Sequence, residues 1–334
     1  MANKQTQSPK RFWGSLINQH ACFLATTVLL GLSLLSLYVG VVEVDWKNVW
    51  HDEKARMIFV ESRVPRTAAI WLTGISMSVA GLLMQMVVHN RFVEPSTAGT
   101  AEGAALGLVA VTLLAPHWSV MAKMGVAAVC AFGSMLLFLA LAKRLPVRDS
   151  LLVPLVGMIY GGIIGAVAEF WAYEYEILQL LNTWLSGDFS AVLRGRYELL
   201  WVGGFAAAFA YYLADRLTII GMGQQMATSL GLPYRQLVLL SMMSVAMMTA
   251  LTVITVGMIA FLGLVMPNIV RRFCGDHLRR SLPWSAWLSV SCLLFCDVLS
   301  RSLRFPYEIP VSTVFGVLGA GLFLVLLLQK VRHE

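Results

Sequence analysis

Three carboxylates fall inside strongly apolar stretches of this chain: Glu102, Glu169 and Asp297. An ionisable side chain within a membrane span is costly and usually marks an ion or proton path. The first chemistry these residues suggest is therefore proton-coupled transport. Each also has a plainer reading, near a helix end and within reach of water or an arginine. Glu102 lies a few residues from a loop, Glu169 precedes the polar run Tyr173-Glu-Tyr-Glu176, and Asp297 stands four residues before Arg301 on one helix face. The plainer reading is preferred, and a proton-driven carrier would need at least one of the three at mid-depth.

Other chemistries find no residues to carry them. No glycine is followed directly by lysine, so a Walker A loop is absent, and neither GxSxG nor HExxH occurs. The six histidines (20, 51, 89, 117, 277 and 333) are scattered, and the five cysteines contain no CxxC, so no zinc spacing arises. Cys292 and Cys296 share a helix face and read as packing thiols, as Met242, Met243, Met247 and Met248 read as adaptable packing. No catalytic residue, metal site or bound cofactor is expected. Uphill transport would then draw on an ion gradient or on another subunit.

The elements that hold these residues are set by composition. Of 334 residues 58% are hydrophobic and 13% charged, with a mean hydropathy of +0.73; soluble domains carry roughly 45–50% apolar and about 25% charged residues. A soluble globule, a disordered chain and a nucleic-acid binder are excluded, and the net charge of +7 belongs to membrane-protein loops. Ten apolar runs read as spans: 21–41, 67–88, 98–115, 121–142, 151–171, 198–214, 237–256, 258–273, 284–300 and 311–329. The first lacks the features of a cleaved signal peptide. Only Gly257 separates the seventh from the eighth. The fold class is all-α integral membrane, with about ten transmembrane helices over 21–330.

With the N-terminus inside, 15 of the 25 Lys and Arg face the cytoplasm and 10 face out, while the acids divide five to ten the other way. This bias puts segments 1–20 and 331–334 in the cytoplasm. The ten outer bases then want an explanation, above all Arg63-Val-Pro-Arg66 and Arg301-Ser-Leu-Arg304. Lipid head groups or a docking partner with acidic knobs would both account for them. Glycines at four-residue spacing (157, 161 and 165) and the group 316, 319 and 321 predict close helix packing. Inside, region 215–236 is more structured than a connection needs. Gly221 and Gly223 precede good helix formers, and Gly231 and Pro233 end them. That short helix is either a solvated loop or a knob for a soluble partner. Arg271–Arg280 reads as a positive-inside loop.

These residues together resemble the FecCD-type permeases, the membrane subunits of type II ABC importers for ferric siderophores, haem and cobalamin. The resemblance runs in order over about 60–330: Ser62-Arg-Val-Pro-Arg-Thr67, Ala80-Gly-Leu-Leu-Met-Gln85, His89-Asn90 with Glu94-Pro95 and Gly99, Trp184-Leu-Ser-Gly187, Gly257 to Arg272, Gly275-Asp-His277, Asp297 to Arg301 and Glu308-Ile-Pro-Val311. It implies ten helices per subunit, with two subunits (a paralogue or a copy) lining one path. It implies soluble ATPases, which use ATP and magnesium, docked on Gly223, Gln224, Gln225, Met226, Ala227, Thr228, Ser229, Leu230 and Gly231. Outside, it implies a substrate-binding protein whose acids meet Arg63, Arg66 and Arg301. Departures stand at Asn90-Arg-Phe-Val, at Gln224 and Thr228, and at Asn268; the first is similar to the branch importing catecholate-type siderophores. The expected function is a ferric siderophore importer of the inner membrane working by alternating access. The alternatives are a proton-coupled carrier using Glu102, Glu169 or Asp297, and import of haem or cobalamin.

Overall fold

A computed structural model of the chain describes residues 19–40, 52–95, 98–142, 144, 152–304 and 306–331. The expectations for 1–18, for 332–334 and for Lys143 and Arg148 lie outside the described residues. Among those described the chain is helical, and its one β-bridge joins Ser186 to Met258. Among the described residues six helices are long and apolar enough to cross a membrane.

The first helix, α1 (Gln19–Tyr38), coincides with the first predicted span. The second span is longer than predicted. Helix α2 (Glu53–Ile58), a π-helical turn (Phe59–Arg63) and α3 (Val64–Val87) run on as one rod of 35 residues. Apolar periodicity alone could not show the first turns, which are charged. Pro65 in α3 has no N–H to offer the preceding turn, the usual cause of a local widening. The carbonyl of Glu61, four residues before Pro65, accepts instead from the backbone N–H of Arg194 at 3.1 Å.

Helix α4 (Thr100–Leu114), where the third span was predicted, is only 15 residues long, whereas α5 (Val120–Ala142) and α6 (Leu152–Glu174) follow as expected. A short α7 (Leu178–Leu185) leads to α8 (Leu199–Tyr212). Then come α9 (Ala214–Ile220), α10 (Gln224–Ser229) and α11 (Tyr234–Val256), the seventh span. The eighth predicted span is α12 (Leu262–Cys274), only 13 residues. At 1.5 Å per residue it covers about 20 Å, less than the ~30 Å hydrocarbon core. Helices α13 (Leu278–Ser302) and α14 (Val311–Val331) complete the set.

Helix α3 is the axis of the fold. Its most apolar stretch is 83% buried, whereas that of α6 is 22% and that of α14 is 17% buried, leaving the latter two at the periphery. Two apolar cores share α3. One gathers Leu82, Leu83 and Met86 with Phe138 of α5 and with Val245 and Met248 of α11. The other joins Ile70 and Met77 to Met266 of α12, Leu293 of α13 and Phe315 of α14. Of the four methionines read as packing, Met242 and Met248 are buried, while Met243 and Met247 face outward.

Small residues decide where α3 meets its neighbours. A Cβ at Gly81 would lie 2.7 Å from the carbonyl carbon of Gly263 and nearer still to its oxygen. The predicted glycine contacts divide. Gly161 and Gly165 of α6 receive Glu102, and Gly319 packs on Phe261, but Gly316 and Gly321 have no atom within 4 Å of an added Cβ. Replacing Gly81 with Ala should therefore destabilise the solubilised protein by about 3 kcal/mol, the upper range for overpacking. Gly162→Ala, where nothing lies within 4 Å, should be close to neutral; thermal unfolding of both variants in one detergent measures the contrast.

Candidate functional site

One end of the bundle is closed by charge. Asp297 of α13 is fully buried and ion-pairs with two arginines. Arg66 of α3 reaches it through Nη2 at 2.8 Å and Nε at 2.9 Å, and Arg301 pairs with its other oxygen. Arg66 also donates Nη1 to Glu308 at 2.8 Å. Ser36 of α1 completes the cluster, donating to Asp297 at 3.3 Å and accepting from Arg301 Nη2 at 2.9 Å. Two guanidinium groups thus meet two carboxylates. A buried ion pair needs this completeness, because desolvating a lone charge costs several kcal/mol.

Arg301, with Arg63, also finishes α1. A helix leaves its last four carbonyls without intrahelical donors. Arg63 donates Nη1 to the carbonyls of Leu37 and Tyr38 at 2.7 Å each. Arg301 donates to the carbonyl of Ser36 at 3.0 Å and to that of Val39. Cations at a helix C-terminus are also favoured by its dipole. Arg63, Arg66 and Arg301, which the resemblance assigned to docking an outside partner, are thus buried, and the contacts above lie within the chain. The acids that hold Arg66 are Asp297 and Glu308; of these Glu308 had no assigned role, and four-residue spacing signalled only the pair of Asp297 with Arg301.

Two short helices begin inside the bundle. Helix α4 starts after Gly99 (φ 76°) and α12 after Phe261 (φ 68°), both left-handed. Each N-terminus has a carboxylate near it, as the helix dipole favours. Glu94, buried in the segment that follows α3, accepts from the Phe261 N–H at 3.1 Å, and Glu102 lies in the first turn of α4. Gly257 (φ 97°) ends α11, and the chain then pairs with the Trp184–Gly187 element: Met258 N–H donates to Leu185 at 3.0 Å and Asp188 N–H to Val256 at 2.9 Å. This pairing separates the seventh and eighth elements, which periodicity could not resolve. Non-helical backbone at membrane depth is tolerated only where protein or a water-filled cavity surrounds it.

The three span carboxylates therefore have different surroundings. Asp297 is doubly paired, Glu169 is exposed on α6, and Glu102 is half-buried against Gly161 and Gly165, with Oε2 lacking a hydrogen-bond partner among the described residues. They do not form one cluster.

At the other end, the run Gly223–Gly231 folds as predicted into α10. Gly223 (φ 107°) opens it and Gly231 (φ 74°) closes it, where the Leu232 N–H donates to Ala227 at 3.0 Å. Ala227 is buried and anchors the turn, while Met222, Met226 and Leu230 are exposed.

A bundle of membrane-crossing helices with broken members at its centre, a charge-closed end and a protruding short helix at the other defines a membrane transport protein. The FecCD transport family model matches residues 28–329, and the chain belongs to that family. It is 40% identical over 305 residues to the petrobactin import system permease protein YclN of Bacillus subtilis (strain 168), covering 91% of this chain and 96% of that one. It is 37% identical over 302 residues to the ferric-anguibactin transport system permease protein FatD of Vibrio anguillarum, covering 90% and 96%. In fold it matches a structure described as an inward-facing metal-chelate type ABC transporter, with a TM-score of 0.80 at 23% identity, covering 93% of this chain and all of the other.

Asp297→Ala leaves Arg66 and Arg301 buried without their shared acid, and should destabilise the protein by about 4 kcal/mol. Combining Asp297→Leu with Arg301→Met should recover a substantial part of that loss, because it removes an opposite pair. Unfolding midpoints of the single and double variants, with expression level as control, check both statements.

Proposed function

We propose that this chain is the membrane subunit of an ATP-driven importer that carries a ferric siderophore across the inner membrane. The single observation that carries this reading is α10: a six-residue helix held by one buried alanine, Ala227, with Met222, Met226 and Leu230 turned to the surroundings. Exposed apolar side chains grouped on a projecting element mark a protein contact, and the chain has no nucleotide-binding loop of its own. The partner at α10 is a soluble ATPase that uses ATP and magnesium, so this end and both termini lie in the cytoplasm. A second permease subunit, a paralogue of this chain or a copy, completes the path, and lipid covers the remaining apolar faces.

On the outer side a substrate-binding protein docks where α1, α3 and α13 end. Arg63, Arg66 and Arg301 serve that face by fixing these ends in register, and the exposed Arg194, Arg196 and Arg304 carry charge toward the partner's acids. The petrobactin and ferric-anguibactin relatives, at 40% and 37% identity, support a ferric chelate as cargo. The pairing of Asp297 with two arginines weighs against a proton path through it. Transport follows from alternating access: ATP and the loaded binding protein each favour one state, and each shifts the balance only by its differential affinity.

Vanadate-sensitive ATP hydrolysis should copurify with the chain from gently solubilised native membranes and rise with a loaded binding protein. Met226→Asp combined with Leu230→Asp should lower ATPase retention and iron uptake at least tenfold without lowering the amount of membrane-inserted chain. Uptake that survives ATP depletion and collapses with an uncoupler would overturn the assignment.

A further inference from the structure

Beside α10 lies an open cavity of about 480 Å³ with charged residues in its lining. It is walled by the end of α3 (Gln85 and His89), by Arg91, by Arg271 of α12, and by Asp276 and His277 ahead of α13. Thr218, Gly221 and Met222 close it on the side that leads into α10. Two guanidinium groups and two imidazoles thus face a single carboxylate.

Arg271 is the unusual member. Its side chain is only 6% exposed, and it donates Nη1 to Gln85 at a long 3.4 Å. Among the described residues its Nε has no hydrogen-bond partner, and the nearest acid oxygen, on Asp276, is 3.7 Å away. Arg91 reaches both oxygens of Asp276 at 3.3 Å. Charge-assisted bonds normally close to about 2.7–2.9 Å, so Asp276 pairs with both arginines only at long distance, 3.3 Å to Arg91 and 3.7 Å to Arg271. His89 adds a strained backbone (φ 55°) at the rim, and its Nδ1 is 3.2 Å from the Val87 carbonyl. Non-glycine residues in that region of backbone space gather at functional sites.

We propose that this cavity binds a phosphate group, bridged between Arg91 and Arg271 with His89 and His277 at its edge. A tetrahedral anion with several acceptor oxygens can reach both guanidinium groups at short distance, whereas Asp276 meets them only at 3.3 and 3.7 Å, and Arg forks suit phosphate. The cavity is larger than an inorganic phosphate needs, so a phosphate borne on a lipid headgroup or on a small metabolite also fits; basic pockets between helices at the cytoplasmic surface take such head groups. The inference does not rest on the ATPase assignment, because binding is a property of the chain alone.

The test uses the purified full-length chain in nanodiscs of phosphatidylcholine, titrated with inorganic phosphate at constant ionic strength and followed calorimetrically. Saturable binding is expected, weakened at least tenfold in Arg271→Met and in Arg91→Met, and tightened several-fold in Asp276→Asn. Arg91 is an exposed side chain, so its variant keeps the test valid if Arg271→Met fails to fold. If the natural source is lipid, discs containing phosphatidylglycerol should suppress the binding of free phosphate; if it is a soluble phosphate, both discs should bind alike. Absence of binding, an equal response to chloride, or binding unchanged in Arg91→Met would overturn the proposal. So would release of the ATPase by these variants without any phosphate response, which would make the cavity a slot for a partner's acidic side chain.

Discussion

Asp297 is where one end of this fold is decided. A carboxylate with no exposed surface cannot draw on water, so its charge has to be met by the protein. Arg66 and Arg301 meet it, Glu308 balances the second guanidinium, and Ser36 fills the remaining gap. The consequence reaches beyond the cluster. Arg301 also terminates α1, and Arg63, one turn before Arg66, does the same. Three helices distant in sequence are thereby set in register at one level by groups that have no other way of being satisfied. The price of an unpaired charge in that setting is what makes the arrangement specific.

The opposite constraint acts at the centre. There α4 and α12 are too short to cross a bilayer, at 15 and 13 residues, so their ends must be satisfied by protein. Glu94 accepts from the first turn of α12, and the backbone of Trp184–Gly187 pairs with the turn after α11. Close backbone approach is possible because Gly81 and Gly263 face each other. Broken helices of this kind place polar backbone deep in the protein without exposing it to lipid.

Much of this was legible in the residues. Continuous apolar runs gave α1, α5, α6, α11 and α14 within a few positions, because a bilayer imposes length and composition on a span; α13 starts earlier than its run, at Leu278, since its first turn carries Arg279 and Arg280. Glycines at 223 and 231 bounded α10 because each adopts a left-handed backbone that favours glycine. The rest depended on contacts across long sequence distances. Nothing local ties Arg66 to Glu308, 242 residues away, and an Arg-x-Pro-Arg motif looks the same whether its guanidinium groups face a partner or an acid in the same chain. Likewise, Gly257-Met-Ile-Ala-Phe reads as a continuing span, since the pairing that breaks it comes from residues seventy positions earlier.

The two ends are joined by one element. The rod from Glu53 to Val87 carries Arg63 and Arg66 near its start and Gln85 near its finish, where Gln85 donates to the Gly263 carbonyl at 3.3 Å and accepts from Arg271. A helix that is buried and bonded at both ends behaves as a strut, because bending it would break either buried ion pairs or packed apolar contacts. Its central contacts differ in kind. At Gly74 and Gly81 it meets α13 and α12 through bare backbone and Val290, and Ile70 and Met77 of α3 join the apolar core that those helices share. Packing through backbone and apolar side chains therefore holds α3 against α12 and α13 over its middle, and the ion pairs of Arg66 with Asp297 and Glu308 fix it at the charged end.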